Sequence, residues 1–257
     1  MALPLSISIV CRDNEATLPR VLDSIAGLAS EVIALDSGST DGTISLLRAH
    51  GVIVVEQAWL GFVKQKQAAL DRCSQPWVLH LDSDESLEPS LRASIESAVA
   101  RNEPAVAGYE VNRKVWYAGG FLEHAWQPEW RLRLVRRGAA RWVGDDPHDA
   151  LEATSPGTRI ERLAGDLRHD SIPSIAEFLE KQARHARTAA ESQHARGRRG
   201  SVASLVFSPL GEFAKQIISR SAWRDGWRGW VAASASSAAA AMKHACLLER
   251  SRRGDDP

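Results

Sequence analysis

The first 110 residues alternate two hydrophobic patterns, and this alternation limits the possible folds more than any other feature of the chain. Short β-rich apolar runs occupy residues 5–10, 32–35, 52–55 and 77–81. Helical stretches separate them: Leu18, Val21, Leu22 and Ile25 recur at helical spacing, residues 43–49 follow a turn, and residues 64–72 read as another helix. Uninterrupted apolar strands joined by helices are what a parallel sheet covered on both faces requires. The expected fold is therefore α/β: a Rossmann-like, doubly wound, mostly parallel sheet. From residue 109 to about 169 the period loosens into irregular strands and loops added to that sheet. After Pro173 the chain turns helical again. Ser174 and Glu177 form a capping box, residues 195–200 break the helix, a second helix over 201–219 kinks near Pro209, and a third starts near Trp223. The expected organisation is a domain over 1–170, with halves at 1–110 and 111–170, followed by amphipathic helices over 171–257.

Charge divides along the same line. The formal net charge is zero, which argues against a protein that coats nucleic acid. Residues 1–180 nevertheless carry 18 Lys/Arg against 26 Asp/Glu, and residues 181–257 carry 14 against 6, so body and tail are expected to meet different partners. Three scattered cysteines lack metal spacing and suit a reduced, cytosolic chain. No signal peptide is expected, and the longest run of small or apolar residues, 231–242, is about half the length of a spanning helix.

Ligands of an open parallel sheet bind outside the carboxyl ends of its strands. Three polar clusters fall there: Cys11-Arg12-Asp13-Asn14-Glu15, the loop from Asp36 to Thr43, and Asp82-Ser83-Asp84-Glu85. The Asp-x-Asp pair suits Mg²⁺ or Mn²⁺ with phosphate oxygens completing the shell. On its own it is weak, because fifteen Asp in 257 residues give roughly one such pair by chance. Asp13, Asp41 and Glu85 also suit helix caps or solvated loops. The loop after Asp36 lacks both G-x-G-x-x-G and a Walker Gly-Lys-Ser/Thr. That leaves Asp36 as an acceptor for a ribose or base, or as part of a turn capping the next helix.

The runs SISIVCRDNEATLPRVLDSI, VIALDSGSTDGT, GFVKQKQAAL and WVLHLDSDE resemble family two glycosyltransferases of GT-A fold. Within them the chain is most similar to the lipopolysaccharide-core β-1,4-glucosyltransferase (WaaE/KdtX-like) group. The likeness continues through WRLRLVRRGAARWVGDDPHDAL and LRHDS into RSAWRDGWRGWVAASASSAAAAMKHACLLE. It implies a GT-A domain over 1–170, with a nucleotide-sugar half and an acceptor half. Asn14, Glu15 and Asp36 would then line the nucleoside pocket, and Gln65 and Lys66 would sit near the nucleotide; Gln67 stands where the family usually has Asn. Asp82 and Asp84 match the Asp-x-Asp pair, Asp84 as the direct ligand, and His169 stands where a downstream His often completes the metal site. Inverting transfer needs a carboxylate to take the acceptor proton. Asp146 is the favoured base and Asp149 the other candidate. Arg131 and Arg133 would neutralise the diphosphate, or else mark a solvent-facing strand edge. Trp116, Trp126 and Trp130 would form an acceptor platform, or else pack in the core.

In the tail, Trp223, Trp227 and Trp230 fall at i, i+4 and i+7, with Arg220, Arg224 and Arg228 as a parallel basic stripe. Such a helix either meets an anionic bilayer surface or docks its Trp face on the body. The resemblance implies an inverting, metal-dependent transferase moving a sugar, glucose from UDP-glucose, to a heptose of the lipopolysaccharide inner core. It would work in the cytoplasm, peripherally at the inner face of the inner membrane. Another sugar, another polysaccharide or lipid-linked acceptor, or an inactive nucleotide-sugar-binding scaffold are the alternatives.

Overall fold

The computed structural model describes residues 2–145 and 148–253. The elements in chain order are β1 (Leu3–Cys11), α1 (Leu18–Ile25), β2 (Ala29–Asp36), α2 (Thr43–Ala49), β3 (Ile53–Glu56), α3 (Phe62–Asp71), β4 (Trp77–Asp82), β5 (Glu85–Leu87) and α4 (Pro89–Arg101). They continue with β6 (Val106–Tyr117), β7 (Gly120–Phe121), β8 (Trp130–Arg136), β9 (Ala140–Asp145), β10 (His148–Ala153) and β11 (Arg159–His169). The helices α5 (Ile175–Ala195), α6 (Val202–Ala214) and α7 (Trp227–Arg253) follow. The first three expected helices and four expected strands appear within a few residues of their apolar runs.

Among the described residues the main sheet runs β3-β2-β1-β4-β8-β6-β11-β5. β1, β2, β3 and β4 are parallel, as βαβ crossovers require, whereas β8 pairs antiparallel with β4. The sheet is thus mixed, α/β in class, with a parallel half at its N-terminal end. Alternate residues of β1 and β4 face opposite layers. Leu5, Ile7, Ile9, Leu79 and Leu81 pack with α1 and α4, while Val78 packs with Ala69 and Leu70 of α3 and with Trp142. The helix α4 was not foreseen, although Leu91, Ile95, Ala98 and Val99 form its buried stripe and Pro89 opens it.

The chain divides into two compact units: residues 1–113 with 129–170, and residues 114–128 with 171–257. The segment 114–128, expected in the acceptor half, therefore belongs with the C-terminal helices. Asp225 accounts for much of this. Its almost fully buried carboxylate accepts from the backbone N–H of Glu123 (3.1 Å), His124 (3.0 Å) and Ala125 (2.8 Å). Trp126 donates to Ser236 Oγ at 2.8 Å and stacks on Phe178. Two of the three candidate acceptor-platform indoles, Trp116 and Trp126, are thus packing residues of this unit, with Trp116 edge-on to Phe121.

The C-terminal helices break where expected, with one correction. Ser174 caps α5 and exchanges bonds with Glu177, and α5 ends at Ala195. Pro209 lies inside α6, which runs on into a π-turn at Lys215–Ser219. Trp223, however, lies in a 3₁₀ turn (Ala222–Asp225), and Gly226, at φ 62°, separates it from α7. The three indoles are therefore not on one helix, though all three are exposed. Nor do the three arginines form a free stripe: Arg220 donates to Gln127 O and Arg228 to Ala118 O. Gly229, costly in a helix, is required because a Cβ there would fall 1.7 Å from Ala222 O.

Candidate active site

Strand register assembles the site. Cys11 pairs with Asp36 and Val10 with Asp82, so the carboxyl ends of β1, β2 and β4 finish side by side. The first two ends are tied together. Asp13 accepts from Thr40 N–H (2.7 Å), Glu15 accepts from Gly42 N–H (3.0 Å), and Asp41 accepts from Glu15 N–H (3.1 Å). A Cβ at Gly42 would lie 2.4 Å from Glu15 Oε1, so a side chain there would displace the Glu15 carboxylate from this contact. Asp41, just before the N-cap Gly42, also accepts from the N–H of Thr43, the first residue of α2, at 3.0 Å.

Asp36 is fully buried and turned onto its own loop, accepting from Gly38 N–H (2.9 Å), Ser39 N–H (2.8 Å) and Ser39 Oγ. Asn14 Oδ1 is likewise occupied by Arg12 N–H at 2.8 Å. These side chains are turned onto their own loops at the carboxyl edge of the sheet. Gln65, also fully buried, donates to Ser37 Oγ at 3.1 Å, and its Oε1 has no partner among the described residues. Gln67, which departs from the family pattern, takes a structural part: its Oε1 accepts from Trp142 N–H at 2.8 Å and so ties β9 to α3. Cys11 and Cys73 are buried free thiols. Burial first and Asp36 second push the Cys11 thiol up to about 12, which leaves it a packing residue.

Asp82 closes β4 between two cations. Lys66 Nζ lies 2.7 Å from its Oδ1 and Arg133 lies 2.9 Å from its Oδ2. Burial alone would raise its pKa, but Arg133 and Lys66 together hold the carboxyl well below the usual range. Lys66 also bonds Asp149 Oδ2 at 2.8 Å and sits 4.8 Å from the centre of the Trp142 ring. A cavity of about 390 Å³ opens on this group, lined among others by Lys66, Asp82, Arg113, Trp130, Arg131, Arg133, Trp142 and Asp149.

Arg131 and Arg133 project into this cavity from β8, which lies between β4 and β6. They do not mark a strand edge. Arg133 is buried and bonds Glu85 Oε1 at 2.6 Å as well as Asp82; Arg131, half exposed, pairs with Glu129 at 2.7 Å. Glu85 is fully buried in β5, held by Arg133 and by Arg113 at 3.3 Å, and is neither a cap nor a loop carboxylate. A second residue that escaped the sequence reading is His80. Fully buried, it reaches Ser8 Oγ through Nδ1 at 3.0 Å and Asp82 Oδ1 through Nε2 at 3.4 Å. Its signal was present in β4, because His80 and Asp82 alternate onto one face of the strand.

The partner of Asp84 is His169. β11 pairs antiparallel with β5, His169 opposite Glu85, and this brings His169 Nε2 to 3.4 Å from Asp84 Oδ2. Among the described residues His169 Nδ1 is buried without a hydrogen-bond partner. One carboxylate and one imidazole, partly open to solvent, suit a hard divalent cation that completes its shell with phosphate oxygens and water. No group of three or more His, Cys, Asp or Glu among the described residues forms a closed metal site. Asp82, with both oxygens on cations, is not arranged as the second carboxylate ligand. Asp146 lies outside the described residues; Asp149 stands on β10 in the cavity wall.

Residues 6–150 match the family model described as glycosyl transferase family 2. The chain belongs to this family. It is a glycosyltransferase. It is 30% identical over 255 residues to the lipopolysaccharide core biosynthesis glycosyltransferase LpsC of Rhizobium meliloti (strain 1021), covering 96% of this chain and 93% of that one. Among solved structures it is similar to S. aureus TarS, with TM-score 0.48 and 17% identity over 72% of this chain. It is also similar to glucosyl-3-phosphoglycerate synthase of Mycobacterium tuberculosis in complex with Mn²⁺, uridine-diphosphate and glucosyl-3-phosphoglycerate, with TM-score 0.36 and 27% identity over 46% of this chain. The alignments span 39% and 45% of those two chains. Among the described residues no helix is long and apolar enough to cross a membrane.

Proposed function

We propose that this glycosyltransferase inverts the anomeric centre as it moves a hexose from a nucleotide sugar, glucose from UDP-glucose, onto a heptose of the lipopolysaccharide inner core. The end-to-end similarity to LpsC supports the acceptor class, because it covers the C-terminal unit as well as the family domain. The reaction class rests on one observation above the rest: the Lys66–Asp149 pair on the cavity at the carboxyl end of β4. An ionised carboxylate in that wall can take the proton of an acceptor hydroxyl as it attacks the anomeric carbon. Lys66 holds Asp149 in place, and Asp146, three residues earlier, is the alternative base. Asp84 and His169 would hold Mg²⁺ or Mn²⁺, which supplies positive charge to the departing diphosphate. Arg131, in the same cavity wall, can turn from Glu129 to a phosphate oxygen. A lipid-anchored acceptor places this work peripherally at the inner face of the inner membrane.

A panel of UDP-, GDP-, ADP- and dTDP-sugars in thermal-shift assays, with and without Mn²⁺, tests the donor. A ligand at about 100 times its dissociation constant stabilises the fold by roughly 2.7 kcal/mol. The expected result is a metal-dependent shift with UDP-glucose that Asp84→Ala abolishes. Transfer to core fragments should fall at least ~100-fold in either Asp149→Asn or Asp146→Asn, with the donor shift intact. A shift with another nucleotide would overturn the donor, and full activity in both variants would overturn the base.

A further inference from the structure

The C-terminal unit exposes a continuous apolar face that neither the transfer chemistry nor the Trp/Arg pattern accounts for. Residues 201–211 contain no charged side chain, and no residue of α6 is buried. Val202, Val206, Phe207 and Leu210 recur on one side of α6, and Ile218 of the following π-turn extends that side. Phe207 is 69% exposed, Leu210 61% and Ile218 76%. Contiguous exposed apolar surface of this kind marks a docking face.

The surroundings of the stripe identify what covers it. Residues 196–224 carry six Lys/Arg and one acid, Glu212, whose carboxylate is taken by Lys215 and Gln216. Exposed Arg198, Arg199, Lys215 and Arg224 accompany the stripe at its start, its end and just beyond. Exposed Trp223, Trp227 and Trp230 follow in the same unit, and indoles favour the headgroup level of a bilayer. A two-fold contact between copies through this face would set cationic rims against one another. An anionic lipid surface complements both the cations and the apolar stripe. We infer that α6 and the π-turn after it lie in the plane of an anionic bilayer surface, with Val202, Val206, Phe207, Leu210 and Ile218 in the acyl boundary and the basic residues at the phosphates. This rests on the reading that the enzyme works at a membrane, but it assigns the hold to α6 and not to a Trp/Arg helix.

Co-sedimentation of the full chain with vesicles of phosphatidylethanolamine and phosphatidylglycerol, and with vesicles of phosphatidylcholine alone, is the test. The wild type is expected to bind the anionic vesicles, to release in high salt, and to bind the neutral ones weakly. The double variant Phe207→Glu/Leu210→Glu should lower binding to anionic vesicles at least about tenfold. Both side chains are exposed, so its melting temperature should match the wild type. Should it not, Ile218→Glu makes the same test at the other end of the stripe. Absent wild-type binding, or equal binding by a folded variant, overturns the inference. So does a wild-type dimer in analytical ultracentrifugation that the variant converts to monomer. The UDP-glucose thermal shift is measured on the same samples. Its presence in a protein that ignores vesicles would refute the membrane face alone, and its absence in one that binds them would refute the donor alone.

Discussion

The arginines of β8 look alike in the sequence and differ sharply in their settings. Arg133 is buried against Asp82 and fully buried Glu85, so Arg133→Met leaves two carboxylates short of a cation, at a cost of about 3–5 kcal/mol. Arg131 is half exposed, and Arg131→Ala should cost under ~1 kcal/mol while weakening donor binding. Urea denaturation of both variants, beside donor titrations, separates the two effects. Glu129 provides a pH test. Its own burial would raise its pKa, but Arg113 and then Arg131 lower it from 4.5 to about 2. A lowered folded pKa contributes stability that is present above the unfolded value and lost as pH falls toward the folded one. The contribution, of order ~3 kcal/mol, should therefore disappear between about pH 4.5 and pH 2. Glu129→Gln is expected to be less stable than wild type at pH 6, and the gap should narrow as denaturation is repeated toward pH 3.

Elements explain why some site residues were legible and others were not. β4 ends in Asp82 because an apolar run stops there, and the run is visible in the sequence. His169 becomes a partner of Asp84 only through the antiparallel pairing of β11 with β5, a register that no local pattern announces. Glu85 looked like a solvated loop acid because its two arginines lie 28 and 48 residues downstream, on strands that meet it only in the folded sheet. In the C-terminal unit the 3₁₀ turn between the π-turn and α7 is held by Asp225. Asp225→Ala removes an ionised acceptor from three backbone N–H groups and should destabilise that unit by about 3 kcal/mol. Hydrogen exchange should show the loss of protection at residues 123–125.

For the whole molecule, the metal and the donor are expected to bind as one. On the proposed reading Asp84 and His169 would offer two ligands, and no group of three or more His, Cys, Asp or Glu that could hold a metal occurs among the described residues, so phosphate oxygens of the donor and water would complete the shell. Chelation should therefore leave the melting temperature of the donor-free enzyme within about 1 °C of its starting value, yet abolish the stabilisation given by the donor. A large loss of stability on chelation alone would show a structural metal instead.

The sequence by itself determined the fold class, the carboxyl-end position of the acidic clusters and the family, because apolar period and strand ends are local properties of the chain. Only the tertiary structure decided which acids and bases became partners. It placed Lys66 between Asp82 and Asp149 and buried Arg133 on Glu85. It also moved residues 114–128 to the C-terminal unit and left the apolar side of α6 uncovered. Each of these depends on long-range pairing, in which burial changes what a charge or an apolar side chain costs, and that environment cannot be read from neighbours in sequence.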